Sequence, residues 1–459
     1  MSSKDIDVAR LIDERQLTKA QFAVFGLCGL VALLDGLDTT SIGVAAPAMA
    51  GALGLSIAAF GPVFAIALIG ATLGALSFGP LADRLGRKRL LLVATAVFGL
   101  FSLLTAYCQS VPALLTCRFL AGVGMGGATP CFIALTSEYA PTRHRAAIVS
   151  LMWAAFPLGG TVGAFLNSAL IETYGWRTIF YIGGVSPLVL LLALAIWLPE
   201  SARFLIRRNR GADRRTLQQL MRRFFDLPAR EWRYVVSETA APSATFASLF
   251  AAGRATITLL LWAAFASIFA VLIVTTLWTP ALLKSFGMVP AAGAIVVGVF
   301  NIGCTLGMAI AGRILERLGL ARGLAPALLL GGAMLAVIGY VGHTLALVAM
   351  LAGVVGILIG VGASGVIALS TLFYPVEVRS TGVGWAMAAG RAGQSVAPVI
   401  TGMLLAAGTS TPVIFVVIGL TLAVAAVLVL LLAMRTRDQA PPHRRRATPA
   451  IEIAEAAEA

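Results

Sequence analysis

The chain has 459 residues, of which 59% are hydrophobic and only 12% charged, and its mean hydropathy is +0.93. Soluble domains run at roughly 45–50% apolar and about 25% charged, so the composition excludes a water-soluble globule, and with it a soluble enzyme, and points to lipid as the solvent for most of the molecule. The formal net charge of +14 raises a nucleic-acid partner as a possibility, which the placement of the basic residues then answers.

A polar stretch carrying Asp5, Asp7, Asp13 and Glu14 opens the chain. Crossing a hydrocarbon layer of roughly 30 Å takes about 20 helical residues, and a helix satisfies its own backbone groups there. Twelve runs of that length are found, at about 21 to 48, 59 to 82, 90 to 107, 111 to 137, 146 to 171, 178 to 198, 255 to 281, 290 to 312, 324 to 342, 345 to 373, 382 to 406 and 411 to 434. They are continuously apolar, without the alternation of barrel strands. An all-α integral membrane protein is therefore expected. The first run is too long, and its acidic flank is wrong, for a cleaved signal, so it is expected to persist in the mature protein.

Of 34 Lys and Arg residues, 30 fall in the N-terminus, the even-numbered loops and the C-terminal tail. Arg177 and Lys284 lie on the other side, and Arg118 and Arg391 lie inside spans. The positive-inside rule then puts both termini in the cytoplasm. Topology and contact with anionic lipid account for the basic charge, and no nucleic acid is required. The five cysteines sit in apolar runs with no CxxC and no nearby histidine, which reads as small buried hydrophobes rather than a metal site. No cofactor is expected.

The long connection from about Pro199 to Arg254 divides the spans six and six. The expected organisation is a bundle over 1–198, a cytoplasmic loop over 199–254, a second bundle over 255–434 and a disordered tail over 435–459. Two features recur across the loop. GPLADRLG from Gly79 is matched by GRILERLG from Gly312, an offset of 233, and Pro141 and Arg145 are matched by Pro375 and Arg379, an offset of 234. A repeat of six helices keeps its orientation, the design in which substrate binds at midplane between two halves that rock against each other. The acid-Arg-Gly loops read either as tight turns with solvated charges or as latches between the halves, through Asp83, Arg84 and Arg87 in the first and Glu316 and Arg317 in the second.

These residues resemble a known family. GPLADRLGRK is similar to the loop signature of the major facilitator superfamily, and RFLAGVGMGG, LPESARFL and YPVEVRSTGVGWAMAAGR extend the likeness over all twelve spans. The resemblance implies two pseudo-symmetric six-helix bundles. Leu34-DGLDTT resembles the aromatic acid:proton symporter branch, which implies a bacterial inner-membrane importer of benzoate-, hydroxybenzoate- or hydroxyphenylpropionate-like acids. Ala202 stands where sugar porters carry proline, leaving the sugar and organic-ion branches as neighbours, and FPLGGTVG matches only half of the antiporter motif, which weakens drug efflux.

Ionisable groups at membrane depth cost about 2.5–3.5 kcal/mol each on insertion scales, so they are functional candidates. Asp35, Asp38, Arg118 and Arg391 are those groups. Asp35 and Asp38 are three residues apart, on one helix face, so both are expected to look into the same cavity, at a depth close to that of Arg118. They read either as a packing ion pair or as proton carriers, with Arg118 in the same pathway. Arg391 has no acid on its own span and reads as the grip for an organic anion or as a fixed structural pair; Arg118 and Asp38 are further candidates at the substrate site. Glu138, Arg143, Arg145, Glu377 and Arg379 at the cytoplasmic helix ends are gating contacts or solvated charges. Trp153, Trp262, Trp278 and Trp385 read as interfacial or lipid-facing anchors before cavity residues, and Gly122, Gly124, Gly126 and Gly127 as close helix packing. There is no nucleotide loop, no HExxH and no nucleophile motif, so no enzyme is expected. The expectation is a monomeric proton symporter for a small aromatic carboxylate; a porter for another organic acid, a sugar or an organic ion, or a drug exporter, is the alternative.

Overall fold

The computed structural model describes residues 5–208, 211–225, 233–235, 246–251, 253–375 and 378–439. A short strand β1 (Asp5–Asp7) leads into α1 (Val8–Glu14), and the first bundle follows as α2 (Lys19–Leu53), α3 (Phe60–Leu85), α4 (Arg87–Thr105), α5 (Val111–Tyr139), α6 (Thr142–Tyr174) and α7 (Trp176–Trp197). The connection contains α8 (Ala202–Arg208), α9 (Gly211–Phe225) and β2 (Arg233–Val235). The second bundle is α10 (Ala255–Lys284), α11 (Pro290–Val341), α12 (Leu345–Phe373), α13 (Arg379–Ala406) and α14 (Thr411–Gln439). The expected all-α membrane architecture with two six-helix halves is observed, with one small addition: β1 and β2 pair in parallel, tying the N-terminus to the central connection.

Among the described residues, eleven helical segments are long and apolar enough to cross a membrane. The remaining predicted span, the eleventh in chain order, lies in α13, which is helical but less apolar because Arg391 and Gln394 interrupt it. The turn predicted after residue 312 is helical throughout, so two spans, Pro290–Leu315 and Gly323–Val341, share α11. They nevertheless fold back. A Cβ on Gly323 would lie 3.2 Å from Ile314 Cγ2, whereas nine residues of straight helix advance about 13.5 Å. At the C-terminus α14 continues to Gln439, past the predicted end at 434; the rest of the predicted tail, 440–459, lies outside the described residues.

The internal repeat reaches the packing. Gly70 and Gly74 of α3 meet the backbone of α5, and Gly122 and Gly126 of α5 meet Ala67 and Ala71 of α3, so closely that a methyl group on any of them would collide with a carbonyl. Gly303 and Gly307 of α11 make the same crossing with Gly356 and Gly360 of α12, 233 or 234 residues later. Small residues allow such approach where lipid offers no hydrophobic driving force between helices. The two motif arginines repeat a bond as well: Arg145 donates to the Ala140 carbonyl and Arg379 to the Tyr374 carbonyl, at 3.5 and 3.3 Å.

The first bundle's basic end is capped by the connection. Leu217, Leu220, Met221, Phe224 and Phe225 of α9 bury one amphipathic face in the cluster that contains Tyr139 and Val24. Gly86, with φ of +108°, turns the chain between α3 and α4, and a side chain there would strike Glu200 and Phe204.

Candidate functional site

The two halves meet through α2, α3 and α6 on one side and α10, α11 and α13 on the other. Their contacts sit toward the end opposite the termini: Gly43 on Leu277, Gly61 on Pro398, Gly160 on Asn301, and the Phe64 and Trp278 rings edge to face at 5.3 Å. Ser168 donates to the Ala291 carbonyl at 3.1 Å at the same end. At the basic end, the ion pairs among the described residues remain inside the first half.

Between the halves lies a cavity of about 140 Å³, close to the roughly 150 Å³ void that holds one benzene ring in an engineered apolar core. Its walls are mostly apolar and include Trp153, Phe156 and Phe269. The polar side chains facing it come from both halves: Asp35, Thr39, Arg118 and Thr129 from the first, Arg391 and Gln394 from the second. Asp35 and Arg391 share this cavity without forming an ion pair, their charged atoms being more than 4.0 Å apart. A guanidinium at membrane depth that faces an open space, with its nearest carboxylate out of contact, is a ready partner for an anion.

Asp38 is placed differently from the sequence expectation that both aspartates look into one cavity. Asp38 is fully buried within the first bundle and does not line the cavity. Three residues along a helix is about 60° of rotation, enough to turn Asp38 toward α4, α5 and α7. There Arg118 donates from Nη2 to Oδ2 at 2.6 Å and from Nη1 to Oδ1 at 3.5 Å, and Ser102 donates to Oδ1. Arg118 both lines the cavity and holds Asp38, and its Nε has no hydrogen-bond partner among the described residues. Phe180 supplies a ring 5.9 Å from the guanidinium carbon.

The expected gating residues are distributed over the basic ends. Arg87, at the start of α4, pairs at 3.2 Å with Asp83 in the last turn of α3 and also with Glu138, which accepts from Ser201 at 2.5 Å. Arg84, Arg143 and Arg317 are exposed, and Arg379 donates to the Tyr374 carbonyl at the end of α12. Glu377 and the side chain of Glu316 lie outside the described residues. No described pair joins Asp83 or Arg84 to the second half.

Of the tryptophans, Trp153 lines the cavity rather than facing lipid, Trp278 is buried between the halves, and Trp262 and Trp385 stack at 5.9 Å under Phe246 where the connection returns to the second bundle. Gln394, which the sequence reading missed, lies one turn beyond Arg391 on α13. Its signal was an amide inside an otherwise apolar run.

A model of the Major Facilitator Superfamily matches residues 28–287 and 260–456. The chain is 37% identical to the 4-hydroxybenzoate transporter PcaK of Pseudomonas putida over 85% of its length and 87% of the relative's. It is 36% identical to a gallate transporter of the same organism over 97% of both chains, and 38% identical to the 3-(3-hydroxy-phenyl)propionate transporter of Escherichia coli K12 over 84% of its length and 87% of the relative's. Among solved structures, a bacterial homologue of the lysosomal transporter Spinster, inward-facing and unoccupied, superposes with a TM-score of 0.70 at 17% identity, covering 93% of this chain and 100% of that one. A D-xylose-proton symporter gives 0.69 at 19% identity, covering 89% and 97%. The matched model and the relatives make this chain a multi-pass membrane transporter, not an enzyme, and it belongs to the major facilitator superfamily.

Proposed function

We propose that the protein is a proton-coupled importer of a small aromatic carboxylate, working by alternating access as a monomer in the bacterial inner membrane with both termini cytoplasmic. One observation carries the reading: a ring-sized, largely apolar cavity between the halves is lined by Arg391, with no ion-pair partner among the described residues, and faces Asp35 from the other half. The relatives named for 4-hydroxybenzoate, gallate and hydroxyphenylpropionate support the substrate class. The 30 basic residues on one side support the orientation.

In this reading Arg391 takes the carboxylate in a bidentate grip and the apolar walls take the ring. Arg118 links substrate and proton. While Asp38 is charged it occupies the Arg118 fork; once Asp38 is protonated that fork is released toward the cavity, where an anion competes for it. Asp35 is the second proton acceptor, at the cavity wall. The proton is energetically useful because carrying one negative charge against 100 mV costs about 2.3 kcal/mol. The contacts near Gly43, Gly61 and Gly160 close the outer end in the present state, and Asp83, Arg84, Arg87, Glu138, Arg143, Glu316, Arg317, Glu377 and Arg379 work the inner end. The two bundles, 1–198 and 255–434, move as bodies, with 199–254 between them and a tail from 435.

The test is uptake of a panel of labelled acids, including 4-hydroxybenzoate, gallate, an aliphatic acid and a sugar, in cells with and without a protonophore. Aromatic acids should accumulate, and accumulation should collapse with the protonophore. Uptake of the sugar or the aliphatic acid alone, or accumulation that ignores the protonophore, contradicts the reading.

A further inference from the structure

Four of the twelve methionines in the chain line this one cavity. Met125 comes from α5 and Met152 from α6 in the first half; Met308 comes from α11 and Met387 from α13 in the second. Met125 and Met152 are buried, and the Met152 thioether lies against α2, with Sδ 3.8 Å from where a Cβ on Gly29 would stand. Leucine and isoleucine fill neighbouring wall positions, at Ile42, Leu68, Leu272 and Ile273. Apolarity alone therefore gives no reason for four thioethers to converge from four helices. A thioether differs from a leucine side chain of similar size in two respects. Its sulfur is polarisable and settles about 5 Å from an aromatic ring, near the edge, and its unbranched chain rearranges around substituents.

We propose that these four thioethers form the ring-recognition surface, selecting an aromatic ring over a saturated ring of the same outline while tolerating different ring substituents. This rests on the aromatic-carboxylate reading and deepens it: Arg391 recognises the acid, and the methionines recognise the ring. Because two come from each half, the ring is held from both sides of the interface that opens and closes.

The experiment is inhibition of labelled 4-hydroxybenzoate uptake by benzoate and by cyclohexanecarboxylate, in proteoliposomes of the full chain and of the Met152→Leu, Met387→Leu and double variants. The substitution nearly conserves volume, and single variants should fold. In the unsubstituted protein benzoate should inhibit at about tenfold lower concentration than cyclohexanecarboxylate, and each substitution should cut that ratio about threefold by weakening benzoate alone. Met308→Leu replaces either variant that does not yield folded protein. A ratio near one at the outset, or a ratio unchanged in all variants, overturns the proposal while leaving aromatic-acid transport intact. Absence of any uptake of 4-hydroxybenzoate or benzoate by the unsubstituted protein overturns the underlying reading and this proposal with it.

Discussion

Arg118 on α5 reaches Asp38 on α2 with a 2.6 Å bond between two side chains that are 1% and 0% exposed, and the same arginine forms part of the wall of the central cavity. A buried pair of this kind is costly to desolvate, and removing one partner strands the other charge, at about 3–5 kcal/mol. Its position between Asp38 and the cavity gives it, under the proposed function, a use that packing alone does not require.

Asp38→Asn should abolish protonophore-sensitive accumulation and lower Tm, because Arg118 is left without its counter-charge. Adding Arg118→Gln should recover most of the lost Tm without recovering accumulation. Thermal melting in detergent and uptake in cells read the two effects separately. Full accumulation in Asp38→Asn would remove the carrier role.

Arg391→Lys keeps the charge and loses the planar fork, so KM for the aromatic acid should rise about tenfold. Initial-rate uptake over a range of substrate concentrations measures this. An unchanged KM would make Arg391 a structural residue.

Gln394→Glu places a negative charge one turn from Arg391 on the cavity wall. It should reduce aromatic-acid uptake at pH 7 by at least about tenfold, through repulsion of the substrate carboxylate, whereas Gln394→Leu should lose less. Equal uptake in Gln394→Glu and the unsubstituted protein would place the carboxylate elsewhere.

A methyl group on Gly160 would come within 2.7 Å of Asn301 Nδ2 across the seam between the halves, and within 2.8 Å of Thr40 Oγ1 in its own half. Gly160→Leu should therefore disfavour the closed outer end. With Ser168→Cys in a background whose five native cysteines are replaced, labelling by a membrane-impermeant maleimide should speed up several-fold when Gly160→Leu is added. Unchanged labelling would show that this contact does not hold the outer end shut.

Outside the membrane, Asp13 accepts from the Thr142 backbone N–H at 2.6 Å and from its hydroxyl at 2.8 Å, capping α6, whose own cap position is Pro141. The Thr142 backbone bond is the largest cause holding the Asp13 carboxyl below its ordinary value, and Arg145 and Arg143 add to it. A depressed folded-state value means the contribution is present above the unfolded carboxylate range and is lost as pH falls through the folded value. Asp13→Ala should cost about 1 kcal/mol at pH 7 and progressively less at acidic pH, as read by melting curves across pH. An effect independent of pH would assign the loss to packing.

Spans and the repeat were legible because lipid imposes long apolar runs and the paired motifs recur at nearly one offset. The shared helix over α11 was not, since the charged stretch from Arg313 to Arg322 reads as a loop between two spans, although its backbone stays helical. Asp35 and Asp38 share a helix face in sequence, yet they separate because the 60° between them straddles the boundary between cavity wall and bundle interior. The methionines are scattered from residue 125 to residue 387, so only the fold brings them together. Trp153 is indistinguishable from an interfacial anchor until α6 is seen to line the cavity.

The central claim is that an aromatic carboxylate and protons cross together through the cavity between the halves. Labelled 4-hydroxybenzoate uptake into proteoliposomes of the purified chain, with the outside made acidic relative to the lumen, tests it most directly. Accumulation above the external concentration, abolished by a protonophore and absent in Asp38→Asn, is the predicted result. Equilibration to the external concentration regardless of the imposed gradient would contradict it.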